Sequence, residues 1–301
     1  MPCFPRLGLV AALAACWSTV IAADVRVETD VAFLEAGRTE KLDLYLPAAA
    51  PAGGKPAPAL VWIHGGGWTG GTKNENRAKE IGTTLAAAGY VVASIDYRLG
   101  AGAWPQNLRD CKNAVRFLRA HAAKYGIDPQ RIAVGGGSAG GHLALMVAYT
   151  AGQPDLEPAA PYPGVGSEVD CVLNFYGITN ILTRRATDPK GVPLGTSKLG
   201  GAASVFGASD AADPVLKLGS PVTHVRPGVP PTLILHGRAD ATVDHLQAEE
   251  LAAVLARHGV PHELHLIDNV GHTFALRNWG KKKMSRDLTP VVLAFLARHV
   301  R

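Results

Sequence analysis

Runs that are apolar on both faces constrain this chain most. "LVWI" at 60–63, "YVVASI" at 90–95 and "TLILH" at 232–236 leave no face for water. Such strands are stable when helices cover both sides of their sheet, the usual environment of parallel strands. Helix-like sequence follows in the expected places. "LVWIH" leads to a stretch ending in "LAAAG", "YVVASIDY" to the stripe Leu108, Cys111, Val115, Leu118, Ala122, and "RIAVGG" at 131–136 to "AGGHLALMVAYT". "TLILHG" leads to "HLQAEELAAVLARHG", and "HELHLI" at 262–267 to a final helix near 285–300. "CVLNFYG" at 171–177 is a further strand, followed by irregular sequence. The short runs "VRVETD" at 25–30 and "KLDLYLP" at 41–47 precede the Pro/Ala/Gly linker at 48–59, and are expected as antiparallel additions to the N-terminal edge. The fold class is therefore α/β, a mostly parallel doubly wound sheet with helices on both faces. With 301 residues, 47% of them hydrophobic, one domain over 24–301 is expected. Segment 178–231 is rich in Gly, Pro, Thr and Ser, and a loop of that length reads as a cap or loop insertion.

The first 23 residues combine one early charge, Arg6, with an apolar stretch and small residues before Asp24. This pattern predicts a signal peptide and export to the periplasm or medium. "LAAC" ending at Cys16 is an alternative frame, a lipoprotein-type box that would leave a lipid anchor at Cys16; Trp17, Ser18 and Thr19 argue against a membrane span. Cys111 and Cys171 remain in the mature chain, either as two buried thiols or as an exported disulfide. The 30 Lys and Arg against 25 Asp and Glu are scattered, apart from Lys281, Lys282 and Lys283. That run reads as a solvated face, and nucleic acid is not an expected partner. No metal-type Cys/His spacing occurs, so neither metal nor organic cofactor is implied.

"RIAVGGGSAGGHLALM" at 131–146 can be framed twice. The G-x-G-x-x-G frame, Gly135, Gly137 and Gly140, needs an acidic residue ending the next strand. Instead the helix runs into "GQPDLEPAAPYPG", where no strand could place Asp155 or Glu157 beneath a ribose. The G-x-S-x-G frame, Gly136, Ser138 and Gly140, puts a serine on a sharp strand-to-helix turn whose crowding requires small neighbours. Alone it could be an ordinary turn. Three features support it: "HGGGW" at 64–68, able to aim consecutive backbone amides at an oxyanion; "HGRADATVD" at 236–244, offering Asp240; and "NVGHTF" at 269–274, offering His272. Serine, acid and histidine then follow one another in the order of this architecture.

The blocks "VWIHGGGW", "DYRL", "RIAVGGGSAGGHLA", "SPVTHV", "PTLILHGRADATV" and "VGHTF" resemble the α/β-hydrolase superfamily over roughly 35–300. More narrowly they are similar to the carboxylesterase, acetylxylan-esterase and feruloyl-esterase-like group related to hormone-sensitive lipase. The resemblance implies nucleophile Ser138, acid Asp240, base His272, and oxyanion amides of Gly66, Gly67 and Ala139. It implies hydrolysis of small-molecule or oligosaccharide esters. Asp244 is the competing acid, expected instead as a helix cap; His64, His142, His236 and His265 compete with His272. His64, Asp96, Tyr97 and Arg98 are expected to brace the loops, His142 to pack or hydrogen-bond, and Trp68 to pack beside the pocket. A peptidase would usually need a further domain, and a lipase an apolar lid where Arg184, Arg185, Asp188 and Lys190 stand. A non-catalytic scaffold would lack part of the Ser, His and Asp set, and none is missing.

Overall fold

The computed structural model describes residues 25–48, 54–187, 193–197, 199 and 201–300. The signal-like segment, with Cys3 and Cys16, lies outside them. Eight strands form one sheet: β1 (Arg26–Val31), β2 (Leu42–Leu46), β3 (Ala57–Ile63), β4 (Val91–Ile95), β5 (Ile127–Gly137), β6 (Val172–Phe175), β7 (Thr232–Gly237) and β8 (His262–Ile267). Their order is β1-β2-β4-β3-β5-β6-β7-β8. From β4 to β8 every neighbour is parallel, while β1 and β2 pair antiparallel at the edge, as the sequence predicts. β5 starts at Ile127, four residues before the run that announces it, because the polar "DPQ" masks its first part.

Period-two alternation divides the core. On β3, Ala59, Val61 and Ile63 join one buried cluster, with Leu108, Cys111 and Val115 of helix Gln106–Ala120 and Leu143 and Val147 of helix Ala139–Tyr149. Leu60 and Trp62 turn to the other, with Ile81 and Leu85 of helix Asn76–Ala87 and Phe295 and Leu296 of helix Thr289–His299. Each strand residue thus finds an apolar layer on whichever side it faces. Cys111 and Cys171 are free, buried thiols.

Segment 178–231 is more ordered than its composition suggests. It contains helices Gly201–Phe206 and Pro214–Leu218, and Val205, Phe206 and Leu216 are buried. The amides of Gly102 and Trp104 donate to the carbonyls of Ser204 and Val205, at 2.9 and 3.2 Å. Phe206 packs on Trp68, Trp104 and His142.

A buried charge cluster ties helix Gln106–Ala120 to the loop at 150–160. Lys112, fully buried, donates to the Thr150 carbonyl at 2.7 Å and to Glu157 Oε1 at 2.6 Å; Arg116 meets Glu157 Oε2 at 2.6 Å. Removing one partner of a buried pair strands the other charge, so Glu157→Ala should lower the unfolding free energy by about 3–5 kcal/mol. Urea denaturation measures this, and a loss under about 1 kcal/mol would mean that Lys112 finds other partners.

Candidate active site

Ser138 sits between the end of β5 and the first turn of helix Ala139–Tyr149, at φ 57° and ψ −122°. A non-glycine residue there carries about 1–3 kcal/mol of backbone strain, held by the surrounding structure. One restraint is the Ser138 amide, which donates to the Phe175 carbonyl at 2.9 Å. The turn lies so close to β3 that a methyl group on Gly140 would strike the carbonyl oxygens of Ile63 and His64, and one on Gly136 that of Gly140. This crowding is the physical reason for small residues on both sides of Ser138.

Two loops from distant parts of the chain converge on the hydroxyl. His272, beyond β8, brings Nε2 to 2.8 Å from Ser138 Oγ, and its Nδ1 lies 2.6 Å from Asp240 Oδ2. Asp240, beyond β7, is fully buried, and its Oδ1 accepts the amides of Thr242 at 2.8 Å and Val243 at 2.9 Å. Of the two carboxylates weighed, Asp240 is the one that His272 meets. Burial alone would raise the Asp240 carboxyl, but hydrogen bonds from His236 and His272 outweigh it and hold the group well below the usual carboxylate range. Burial lowers the His272 imidazole from its ordinary 6.5, against the raising pull of Asp240. The ring is therefore neutral at neutral pH, with Nδ1–H donating to Asp240 and Nε2 free to accept from Ser138.

The wall opposite is Gly65–Gly67. Gly66 and Gly67 adopt φ 115° and 62°, and Gly65 packs so tightly on the serine turn that a methyl group there would lie 2.9 Å from the Gly137 carbonyl and 3.2 Å from Ser138 Cβ. Among the described residues, the amides of Gly66, Gly67 and Ala139 have no acceptor. His64 braces this loop, with Nδ1 2.6 Å from the Gly65 carbonyl, its ring stacked on Tyr97, and the Tyr97 hydroxyl donating to the His64 carbonyl at 3.0 Å. Burial lowers the His64 pKa. Asp96 receives the Lys73 amide at 2.8 Å, and the Arg98 amide donates to Asp110 at 3.0 Å.

His142 is buried beneath the site, donating from Nε2 to the Gly219 carbonyl at 2.6 Å and accepting the Trp68 indole N–H at Nδ1 at 3.3 Å. Burial drops its pKa to about 4, keeping it neutral. Trp68 is 2% exposed and supports the loop from below, and it is not one of the residues lining the cleft. His265 lies on β8, 3.4 Å from Glu263. His236 is beside the acid, its Nε2 3.3 Å from Asp240 Oδ2 and 3.0 Å from the Val243 carbonyl.

The cleft encloses about 230 Å³ between Gly65–Gly67, Ser138, Tyr176, His272, Thr273, Thr242 and Arg77. Sequence reasoning missed Arg77, Tyr176 and Thr242. Tyr176 sets its ring against His272, with centroids 4.8 Å apart, and donates its hydroxyl to the Phe274 carbonyl at 2.9 Å. Its one legible signal is its place at the C-terminal end of a core strand. Trp279 also steadies the histidine loop, its indole N–H donating to the His272 carbonyl at 2.8 Å. No described residue of 178–231 lines the cleft.

A mostly parallel sheet whose C-terminal edge carries a strained serine, a histidine and a carboxylate in hydrogen-bonded sequence defines an α/β-hydrolase fold. Comparison with known proteins makes the class narrower: residues 42–255 match the model of the BD-FAE family, and the chain belongs to that family. It is 34% identical over 230 residues to the "Probable carboxylic ester hydrolase LipM" of Mycobacterium tuberculosis, covering 75% of this chain and 51% of LipM. "Esterase LipQ" of the same organism is 28% identical over 260 residues, 85% of this chain and 59% of LipQ. The chain thus spans about half the length of these curated relatives. Among solved structures, esterase 2 of Thermogutta terrifontis is similar at 28% identity and TM-score 0.69, covering 95% of this chain and 97% of that one. A truncated carbohydrate esterase from gut microbiota is similar at 29% identity and TM-score 0.70, covering 83% and 90%.

Proposed function

We propose that this protein is an exported serine carboxylesterase that hydrolyses short-acyl or carbohydrate-linked esters. The observation that carries this reading is the unbroken hydrogen-bonded line from Ser138 through His272 to Asp240, opposite amides that have no acceptor among the described residues. His272 Nε2 takes the Ser138 proton as Oγ attacks the ester carbonyl. The amides of Gly66, Gly67 and Ala139 stabilise the resulting oxyanion. His272 then protonates the leaving alcohol, and water repeats the cycle on the acyl-serine, releasing the acid. Asp240 fixes the imidazole tautomer and stabilises its charged form.

Cleft size favours a small acyl group, since 230 Å³ falls below the range of about 300–1,000 Å³ typical for drug-sized ligands. The names of the esterase and carbohydrate-esterase relatives support ester substrates, including sugar-linked ones. Export rests on the signal-like N-terminus, cleaved before Asp24 or anchored by lipid at Cys16.

The test is hydrolysis of p-nitrophenyl acetate, butyrate and longer esters across pH. Rates should peak at acetate or butyrate. Because the base must be neutral to accept a proton, kcat/KM falls as pH drops through the His272 pKa, which burial places below 6.5. The acid limb is therefore expected below the range of an ordinary imidazole. An acid limb centred above 7 would contradict the assignment of His272 as base.

A further inference from the structure

A larger groove, of about 790 Å³, adjoins the cleft and shares two residues with it, Arg77 and Thr273. Its lining carries four cations, Arg77, Arg277, Lys281 and Lys283, and one carboxylate, Glu80. Glu80 is already engaged: it faces the Arg277 guanidinium at 3.6 Å and accepts the Arg277 amide and the Asn278 side chain, each at 2.9 Å. Arg77 is paired with Glu75. Among the described residues, no carboxylate pairs with Lys281 or Lys283. Both residues are exposed, Lys281 on the turn joining the short paired strands Asn278–Trp279 and Lys282–Lys283 and Lys283 on the second of them, opposite Asn278. That turn is tied to the site, because Trp279 holds the His272 carbonyl and Phe274 bridges to Trp279. A basic run that looks like a solvated face in sequence is thus one wall of a groove opening beside His272.

The direction of the groove is chemically meaningful. Thr273 follows His272, the group that hands its proton to the leaving oxygen, and lines both the cleft and the groove, so the groove opens beside the proton donor. We propose that this groove is the subsite for the alcohol portion of the substrate, and that it selects alcohols bearing an anionic group, a carboxylate or a phosphate, through Lys281 and Lys283. An acetylated sugar acid fits this description. The proposal rests on the esterase reading and adds substrate charge to it.

The test compares three acetate esters under the wild-type enzyme: 4-acetoxybenzamide, which is neutral, 4-acetoxybenzoate, and 4-acetoxyphenyl phosphate. Wild-type enzyme should favour one or both anions over the neutral ester by on the order of tenfold in kcat/KM, carried in KM, since exposed cations contribute only a few-fold each. The arm with the larger ratio separates carboxylate from phosphate. Lys281→Gln/Lys283→Gln should bring the ratio close to one, and about 0.5 M NaCl should do the same to the wild type through screening. Both lysines are exposed, and the salt arm needs no variant at all. A wild-type ratio near one overturns the proposal, and so does a preference that survives the double substitution. Failure to hydrolyse any of the three, or p-nitrophenyl acetate, would instead bring down the esterase reading and the subsite with it.

Discussion

Ser138→Ala should reduce kcat for p-nitrophenyl acetate on the order of 10⁶-fold, while the unfolding midpoint stays close to that of the parent. The loss is expected to be large because it removes the hydroxyl that His272 meets at 2.8 Å and that the proposed mechanism makes the acyl acceptor. Stability should hardly move, since alanine keeps the Cβ and enters the same φ 57° turn with the same strain. Residual hydrolysis above water, from oxyanion amides and substrate binding, is expected to persist at roughly 10³–10⁴-fold. A variant retaining more than about 1% of parental kcat would sink the nucleophile assignment, since loss of such a serine costs on the order of 10⁶-fold.

Asp240→Asn should cost about 10⁴-fold in kcat with little change in fold. Oδ1 of the native carboxylate accepts the amides of Thr242 and Val243, so an asparagine will keep its carbonyl oxygen there and turn its NH₂ toward His272. Nδ1 of the imidazole must then accept, which leaves the proton on Nε2, where it faces Ser138 Oγ instead of receiving from it. His236 at 3.3 Å cannot substitute, since it meets the acid and not the serine. Steady-state kinetics beside far-ultraviolet circular dichroism would read this. A loss of tenfold or less would mean that Asp240 merely caps its own loop and that another group orients His272.

How much of this was legible in sequence follows from the range of each signal. Strands apolar on both faces define their own burial, so β3, β4 and β7 could be read from a few consecutive residues. Ser138, Asp240 and His272 were legible because each lies in a short block after a strand, and chain order supplied the rest. Segment 178–231 was legible only as a cap or loop insertion, since its helices have no periodicity of their own to announce them and Val205, Phe206 and Leu216 are buried only once the chain is folded, Phe206 against Trp68 and Trp104. Tyr176, Arg77 and the His236–Asp240 contact were invisible for a similar reason: each gains its role only when loops from different strands are brought to one edge. Trp68, expected to pack beside the pocket, is buried with its indole N–H on His142, a contact between residues 74 apart that no local signal announces.

The division of the core by the sheet has a covalent consequence. Cys111 belongs to the layer beneath helix Gln106–Ala120, while Cys171 faces the layer beneath helix Thr289–His299. A disulfide needs Cα atoms within about 7 Å and side chains aimed at each other, whereas these two are free and belong to different apolar clusters. Burial also raises both thiols well above their ordinary pKa, so little thiolate is present to react. An oxidising medium should therefore leave this pair chemically unchanged. Material folded under reducing or oxidising conditions should carry the same two free thiols and the same activity.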